Sequence, residues 1–205
     1  MNKRNALQLI AKSALLAGAT GILAACKPAA APKASFNAID LTGADYGKDF
    51  AMPDQNGQRR TVADFKGKVT LLFFGYTQCP DVCPTTLTDL AAVKQKLGAK
   101  GDQLQVIFVS VDPARDTPDI LKAYMANFDP SFLALRGSDD ELAAIAKEFK
   151  IYYKRVEGST PTSYTMDHTA GDYIFDPQGR LRLYSRYGTP VDTLAKDIEQ
   201  LIDGA

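Results

Sequence analysis

"KVTLLFFGYTQCPDVCPTTLTDLAAVKQKLG" (residues 68–98) changes character twice along its length. Up to Tyr76 it is a nearly continuous apolar run, the pattern of a strand covered on both faces. Two cysteines follow, Cys79 and Cys83, each with a proline directly after it. The period then changes: Leu87, Leu90, Ala91 and Leu97 fall on one helical face, and Gly98 supplies a stop. Both thiols therefore sit at the carboxyl end of a buried strand, where open α/β sheets place their sites. Pro84 disfavours α conformation at Cys83, so both cysteines are expected on a loop that ends at the helix N-terminus. Unpaired N–H groups and the positive end of the helix dipole would there favour thiolate over thiol.

The flanking sequence supplies the layers around this unit. "DQNGQ" (54–58) is a tight-turn signal and predicts an early hairpin. "LQVIFVSV" (104–111) reads as a second buried strand. Thr117 is placed to cap a helix with Pro118 at its first position, and Ile120, Leu121, Tyr124, Met125 and Phe128 form its apolar side. "FLALR" (132–136) is a short strand, and Ser138 with Glu141 makes a capping box for a helix striped by Leu142, Ile145, Ala146 and Phe149. "DYIFDPQGRLRLYS" (172–185) is a hairpin turning at Pro177–Gly179, and "TPVDTLAKDIEQLI" (189–202) closes the chain as a helix with Leu194, Ile198 and Leu201 inward. The fold class is α/β, a central mixed sheet flanked by helices with an N-terminal hairpin extension. No internal repeat is visible.

The N-terminus begins with basic Lys3 and Arg4 and continues as an Ala/Leu-rich run without an acid before Cys26, the layout of an export signal. The apolar run is shorter than the ~20 residues of a transmembrane span. Its close, "LAAC", resembles the lipobox of bacterial lipoproteins, which makes Cys26 the lipidation site. The organisation expected is a signal peptide over 1–25, a Pro/Ala-rich tether over 26–46 and one folded domain over 47–205. The processed chain would be exported, held to the membrane by lipid and face the periplasm. Without residues 1–25 it carries 21 basic and 24 acidic residues, and no basic block remains to suggest nucleic acid.

With Cys26 spent on lipid, Cys79 and Cys83 are the only thiols left for chemistry. In an oxidising compartment such a pair closes as a disulfide unless it is kept reduced or metallated. Thiol–disulfide exchangers usually space their cysteines Cys-x-x-Cys. The three intervening residues here make a wider ring that opens more readily into a chelate, and a merely stabilising disulfide stays a third reading. A structural zinc site would want four ligands; two thiolates and one imidazole suit copper, sulfur favouring Cu(I) and nitrogen making Cu(II) accessible. The one imidazole is His168, in "SYTMDHTAGDYIF". In a thioredoxin-like sheet the loop entering the last hairpin lies beside the cysteine loop. Reductases of that class usually hold a cis-proline there; this chain holds Asp-His-Thr-Ala-Gly.

"GYTQCPDVCP", "VSVDPARDTP" (109–118) and "MDHTAGDYIFDPQG" (166–179), in that order, resemble the SCO/SenC family of copper chaperones, over about residues 47–205. The resemblance implies a thioredoxin-like fold, copper bound by Cys79, Cys83 and His168, and delivery to the dinuclear copper site of a cytochrome c oxidase subunit, with other periplasmic copper carriers as further partners. It implies a carrier and not an enzyme, with thiol–disulfide exchange through Cys79 and Cys83 as an accessory activity or as the alternative role. Copper or redox sensing would use the same residues. The lipobox departs from the many relatives anchored by a transmembrane helix. Asp81 and Asp167 stand where a carboxylate could orient a ligand, although each also reads as a surface charge. Asp112 and Asp116 read as strand-end and helix-start groups in preference to an acid–base pair, and Tyr152 and Tyr153 as packing residues.

Overall fold

The computed structural model describes residues 35–160 and 163–205. The signal segment, Cys26 and the tether up to residue 34 lie outside them. A six-stranded sheet runs in the order β1 (Ile39–Asp40), β10 (Leu181–Arg186), β9 (Gly171–Phe175), β4 (Val69–Gly75), β5 (Leu104–Ser110), β6 (Leu133–Leu135). The β4–β5 and β5–β6 pairs are parallel, while β4–β9, β9–β10 and β10–β1 are antiparallel, so the sheet is mixed as expected. Among the described residues four α-helices complete the layers: α1 (Val82–Lys96), α2 (Pro118–Ala126), α3 (Asp139–Glu148) and α4 (Val191–Ile202). Among the described residues no helix is long and apolar enough to cross a membrane.

The continuous apolar runs explain the centre of the sheet. Every residue of β4, β5 and β9 is buried, because each of these strands has neighbours on both edges and cover on both faces. Alternate side chains of β4 meet different partners: Phe73 lies 5.9 Å from Phe108 of β5, whereas Phe74 lies 5.7 Å from Phe149 and 6.0 Å from Tyr173. Burying each such ring contributes about 1.5–3 kcal/mol. The boundaries follow local chemistry. Thr117 caps α2 by accepting from the Ile120 N–H at 3.3 Å, with Pro118 in the first position, and Ser138 and Glu141 form the capping box of α3. The β9–β10 turn places Gly179 at φ +78°, a left-handed conformation that glycine adopts without strain.

The early hairpin forms as expected, β2 (Ala51–Pro53) against β3 (Arg59–Thr61), a two-stranded sheet apart from the central one. Two expectations need correction. Residues 36–46, assigned above to the tether, pack against the domain: the Asn37 and Ala38 N–H groups donate to the buried carboxylate of Asp197, and Ile39–Asp40 add the edge strand β1. Phe36, Leu41 and Tyr46, apolar residues among the prolines and alanines, provide the surface that fixes this segment. Ile120, counted on the apolar side of its helix, is exposed, since Leu121 and Met125 alone make the buried stripe of this short helix.

One unit was not anticipated. β7 (Tyr153–Glu157) and β8 (Tyr164–His168) pair antiparallel in a two-stranded ribbon of their own, with Tyr153 opposite His168. Four of the five residues of β7 are exposed, so the strand carries no alternating pattern from which it could be read.

Candidate metal centre

Cys79 lies on the turn that leaves β4, its N–H donating to the Tyr76 carbonyl at 3.2 Å, and it is half-buried. Cys83 occupies the second position of α1 and is fully buried. The expectation of a loop position for Cys83 is therefore corrected. Pro84 restricts the residue before it but does not forbid α conformation, and its missing N–H falls among donors that a helix start leaves unpaired in any case. Burial of the thiol against β4 tips the balance. The Cys83 N–H donates to Cys79 Sγ at 3.4 Å, so the helix N-terminus serves the outer sulfur. The expected low thiol pKa does not hold for Cys83, because burial pushes this group well above its ordinary value. Both cysteines are free thiols here.

Gly75 makes the inner position available. A Cβ at this glycine would come within 2.9 Å of Cys83 Sγ and 2.7 Å of Phe108 Cε2. Gly75→Ala should therefore displace the thiol and cost about 1–3 kcal/mol of stability by overpacking. Urea denaturation, with the alkylation rate of Cys83 in the native protein, checks this; an unchanged rate and midpoint would show that the pocket can yield.

His168 is the last residue of β8. Its Nε2 stands 3.7 Å from Cys83 Sγ, and its Nδ1 lies 3.1 Å from the Thr169 carbonyl. With Nδ1 as the proton-bearing nitrogen donating to that carbonyl, Nε2 presents its lone pair to the sulfurs. The ring meets Tyr76 and Phe73 edge-on at 5.9 Å and 6.4 Å. Burial in this aromatic setting holds the imidazole pKa below its ordinary value, against the opposing pull of the Thr169 carbonyl and Asp167. A neutral imidazole is the ligating form. One donor atom from each of Cys79, Cys83 and His168 lies within 4.8 Å of the others.

The remaining candidates divide. Asp81 and Asp167 are both exposed; Asp81 opens α1 without a side-chain cap bond, and Thr85 Oγ1 donates to its carboxylate at 3.4 Å. Asp167 acts on the imidazole through its charge alone. Tyr152 is corrected from packing residue to exposed residue: its backbone clamps Thr169 through bonds of 2.9 and 3.0 Å while its ring borders the cleft beside the thiols. Tyr153 does pack against the core.

Asp112 and Asp116 are structural, as read, but in the service of the site. Asp116 is fully buried and accepts from the Thr77 hydroxyl at 2.6 Å, the Thr77 N–H at 3.2 Å and the Ser110 hydroxyl at 2.6 Å, which fixes the start of the cysteine loop. Arg115, which no pattern in the sequence singles out, joins the two halves of the site. It pairs with Asp112 and donates to Gln78 Oε1 on the cysteine loop at 3.1 Å and to the Tyr164 carbonyl on β8 at 3.0 Å. Its guanidinium lies 3.5 Å from the centre of the Tyr164 ring, with Arg155 on that ring as well at 3.9 Å, and the Tyr164 hydroxyl donates to Asp112 at 2.9 Å.

Two soft sulfurs and one neutral imidazole, held together but only partly enclosed, can take a thiophilic metal and leave it open to a further ligand. The sequence profile of the SCO1/SenC family matches residues 40–203. A SCO2-like protein of Rickettsia felis is 31% identical over 203 residues, spanning 98% of this chain and 97% of its own. The structure of Bradyrhizobium japonicum ScoI with copper bound is 40% identical, with a TM-score of 0.70 over 76% of this chain and 99% of that one. BsSco, described as a member of the Sco family of cytochrome c oxidase assembly proteins with a disulfide switch, is 25% identical, with a TM-score of 0.61 over 78% and 95%.

Proposed function

The chain belongs to the SCO1/SenC family, and on that premise we propose that it is a copper metallochaperone which carries one copper ion on Cys79, Cys83 and His168 and passes it to the copper-site subunit of a cytochrome c oxidase. The observation that carries this reading is the meeting of three donor atoms within 4.8 Å from segments nearly ninety positions apart. The copper-bound ScoI and the oxidase-assembly description of BsSco support it. Two thiols suit Cu(I), and the imidazole extends the range to Cu(II). Three ligands leave a position through which an acceptor's ligand can enter, so transfer proceeds by exchange at a half-open cleft. The N-terminal segment would place this activity at the outer face of the membrane through lipid on Cys26, and no enzymatic turnover is assigned.

Thiol–disulfide exchange fits as an accessory activity, because Cys79 is the half-exposed sulfur and Cys83 the buried one behind it. Cys79 would attack an acceptor disulfide, Cys83 would resolve the mixed disulfide, and two electrons would pass to the acceptor as Cys79 and Cys83 close. Copper titration of the reduced domain separates the two roles. The wild type should take up one equivalent of either oxidation state, and His168→Ala should lose Cu(II) while the thiols retain Cu(I) more weakly. Unchanged stoichiometry and affinity in that variant would overturn the ligand set, and metal-free exchange that survives it but requires Cys79 would shift the assignment to the reductase.

A further inference from the structure

The cleft outside the three donors is about 300 Å³ in volume and is bordered by Cys79, His168, Tyr152 and, less conspicuously, Met166. Successive residues of a strand point to opposite faces and alternate residues share one. β8 shows that alternation in its burial, with Tyr164, Met166 and His168 half-buried and Thr165 and Asp167 exposed. Met166 therefore stands one step before His168 on the same face of the ribbon. The same cleft side carries the imidazole, whose ring meets that of Tyr76. A methionine side chain is unbranched, with three rotatable bonds and a polarisable sulfur. Thioethers are soft ligands that select Cu(I) over Cu(II).

We propose that Met166 is a fourth copper donor, engaged when the ion is Cu(I) and released when it is Cu(II). This rests on the copper reading above and deepens it. With the thioether engaged, Cu(I) is held by three sulfurs and one nitrogen; with it released, the position lies open towards the cleft. Met166 thus selects the oxidation state in which the cargo is held most tightly, and its swing is the first movement of unloading. The bland account of the residue is packing, since it also lies against the edge of the core. The two accounts part under Met166→Leu, which keeps volume and apolarity and removes only the sulfur.

The test uses the reduced protein loaded with Cu(I) or Cu(II). Selenomethionine-labelled wild type should show copper as a neighbour of selenium in X-ray absorption with Cu(I) and none with Cu(II); Met52 and Met125 are buried in the core, and the signal should vanish in Met166→Leu. The same variant should bind Cu(I) roughly tenfold to a hundredfold more weakly, the range by which partners of a metal site tune its affinity, with Cu(II) affinity unchanged. The reduction potential should accordingly fall by about 59 mV for each factor of ten. A wild type without selenium–copper scattering, and a variant whose Cu(I) affinity and potential match it, would leave Met166 as packing and the three-ligand chaperone intact. A wild type that binds no copper through Cys79, Cys83 and His168 would overturn both.

Discussion

Replacing Arg115 with alanine should unlatch the histidine from the thiols without touching a ligand. Asp112 is buried and loses its cationic partner, the Tyr164 carbonyl and the Gln78 side chain lose a shared donor, and the Tyr164 ring loses one of its two guanidinium neighbours. Removing one member of a buried ion pair costs about 3–5 kcal/mol because the other charge stays in the low-dielectric interior, and that is the stability loss expected in urea denaturation. The functional loss should be selective. Cu(II) depends on the imidazole, which rides on β8, and its affinity should fall steeply; Cu(I), served by the two thiols of the cysteine loop, should fall less. Arg115→Lys can restore the charge opposite Asp112 but not the planar fork or the stacking, so it should recover stability more than it recovers Cu(II) binding. Equal loss of both oxidation states, in proportion to stability, would reduce Arg115 to a general structural role.

Asp172→Asn should stabilise the protein in alkaline solution. Asp172 sits on β9 opposite Ser185, is fully buried, and its Oδ1, like the Ser185 hydroxyl, has no hydrogen-bond partner. Burial pushes its carboxyl from 3.8 up to about 8, with the Asp89 carboxylate of α1 adding to the effect. Arg186 and Tyr187 also border the small cavity beside it, and Tyr184 feels its charge. The folded state therefore binds this proton more tightly than the unfolded chain does. Its contribution is fully present below about pH 4, declines as pH rises towards about 8, and is constant above, where both states are ionised. The slope is at most about 1.4 kcal/mol per pH unit, so a few kcal/mol separate the variant from the wild type by pH 8 while the two converge near pH 4. Stability curves of wild type and variant that ran parallel across this range would show that Asp172 keeps its charge in the fold, against the burial argument.

Residues 68–111 were legible because two buried strands and the helix between them are long and strongly patterned; β4, β5, α1 and the β9–β10 hairpin lie where the runs of Leu, Ile, Val and Phe place them. The three donors were legible for another reason: with so few cysteines and one histidine, chemistry leaves little choice. The ribbon β7–β8 was not, since β7, exposed at four of its five positions, has no core to impose alternation on it. Cys83 was set one element too early because a local backbone bias was weighed without the burial that overrides it. Arg115 escaped notice because its partners, Gln78, Asp112 and Tyr164, become neighbours only after the chain has folded, and one arginine in a polar loop carries no periodicity.

The two sulfurs and the imidazole belong to different bodies. The thiols are built into the junction of a central strand and its helix, whereas the imidazole sits on a ribbon that shares no backbone ladder with the main sheet among the described residues. Sub-global openings cost less than the full stability of a domain. On the copper reading proposed above, the grip on the ion can thus be loosened from one side at the expense of a few side-chain contacts, with the pincer's other jaw left in place.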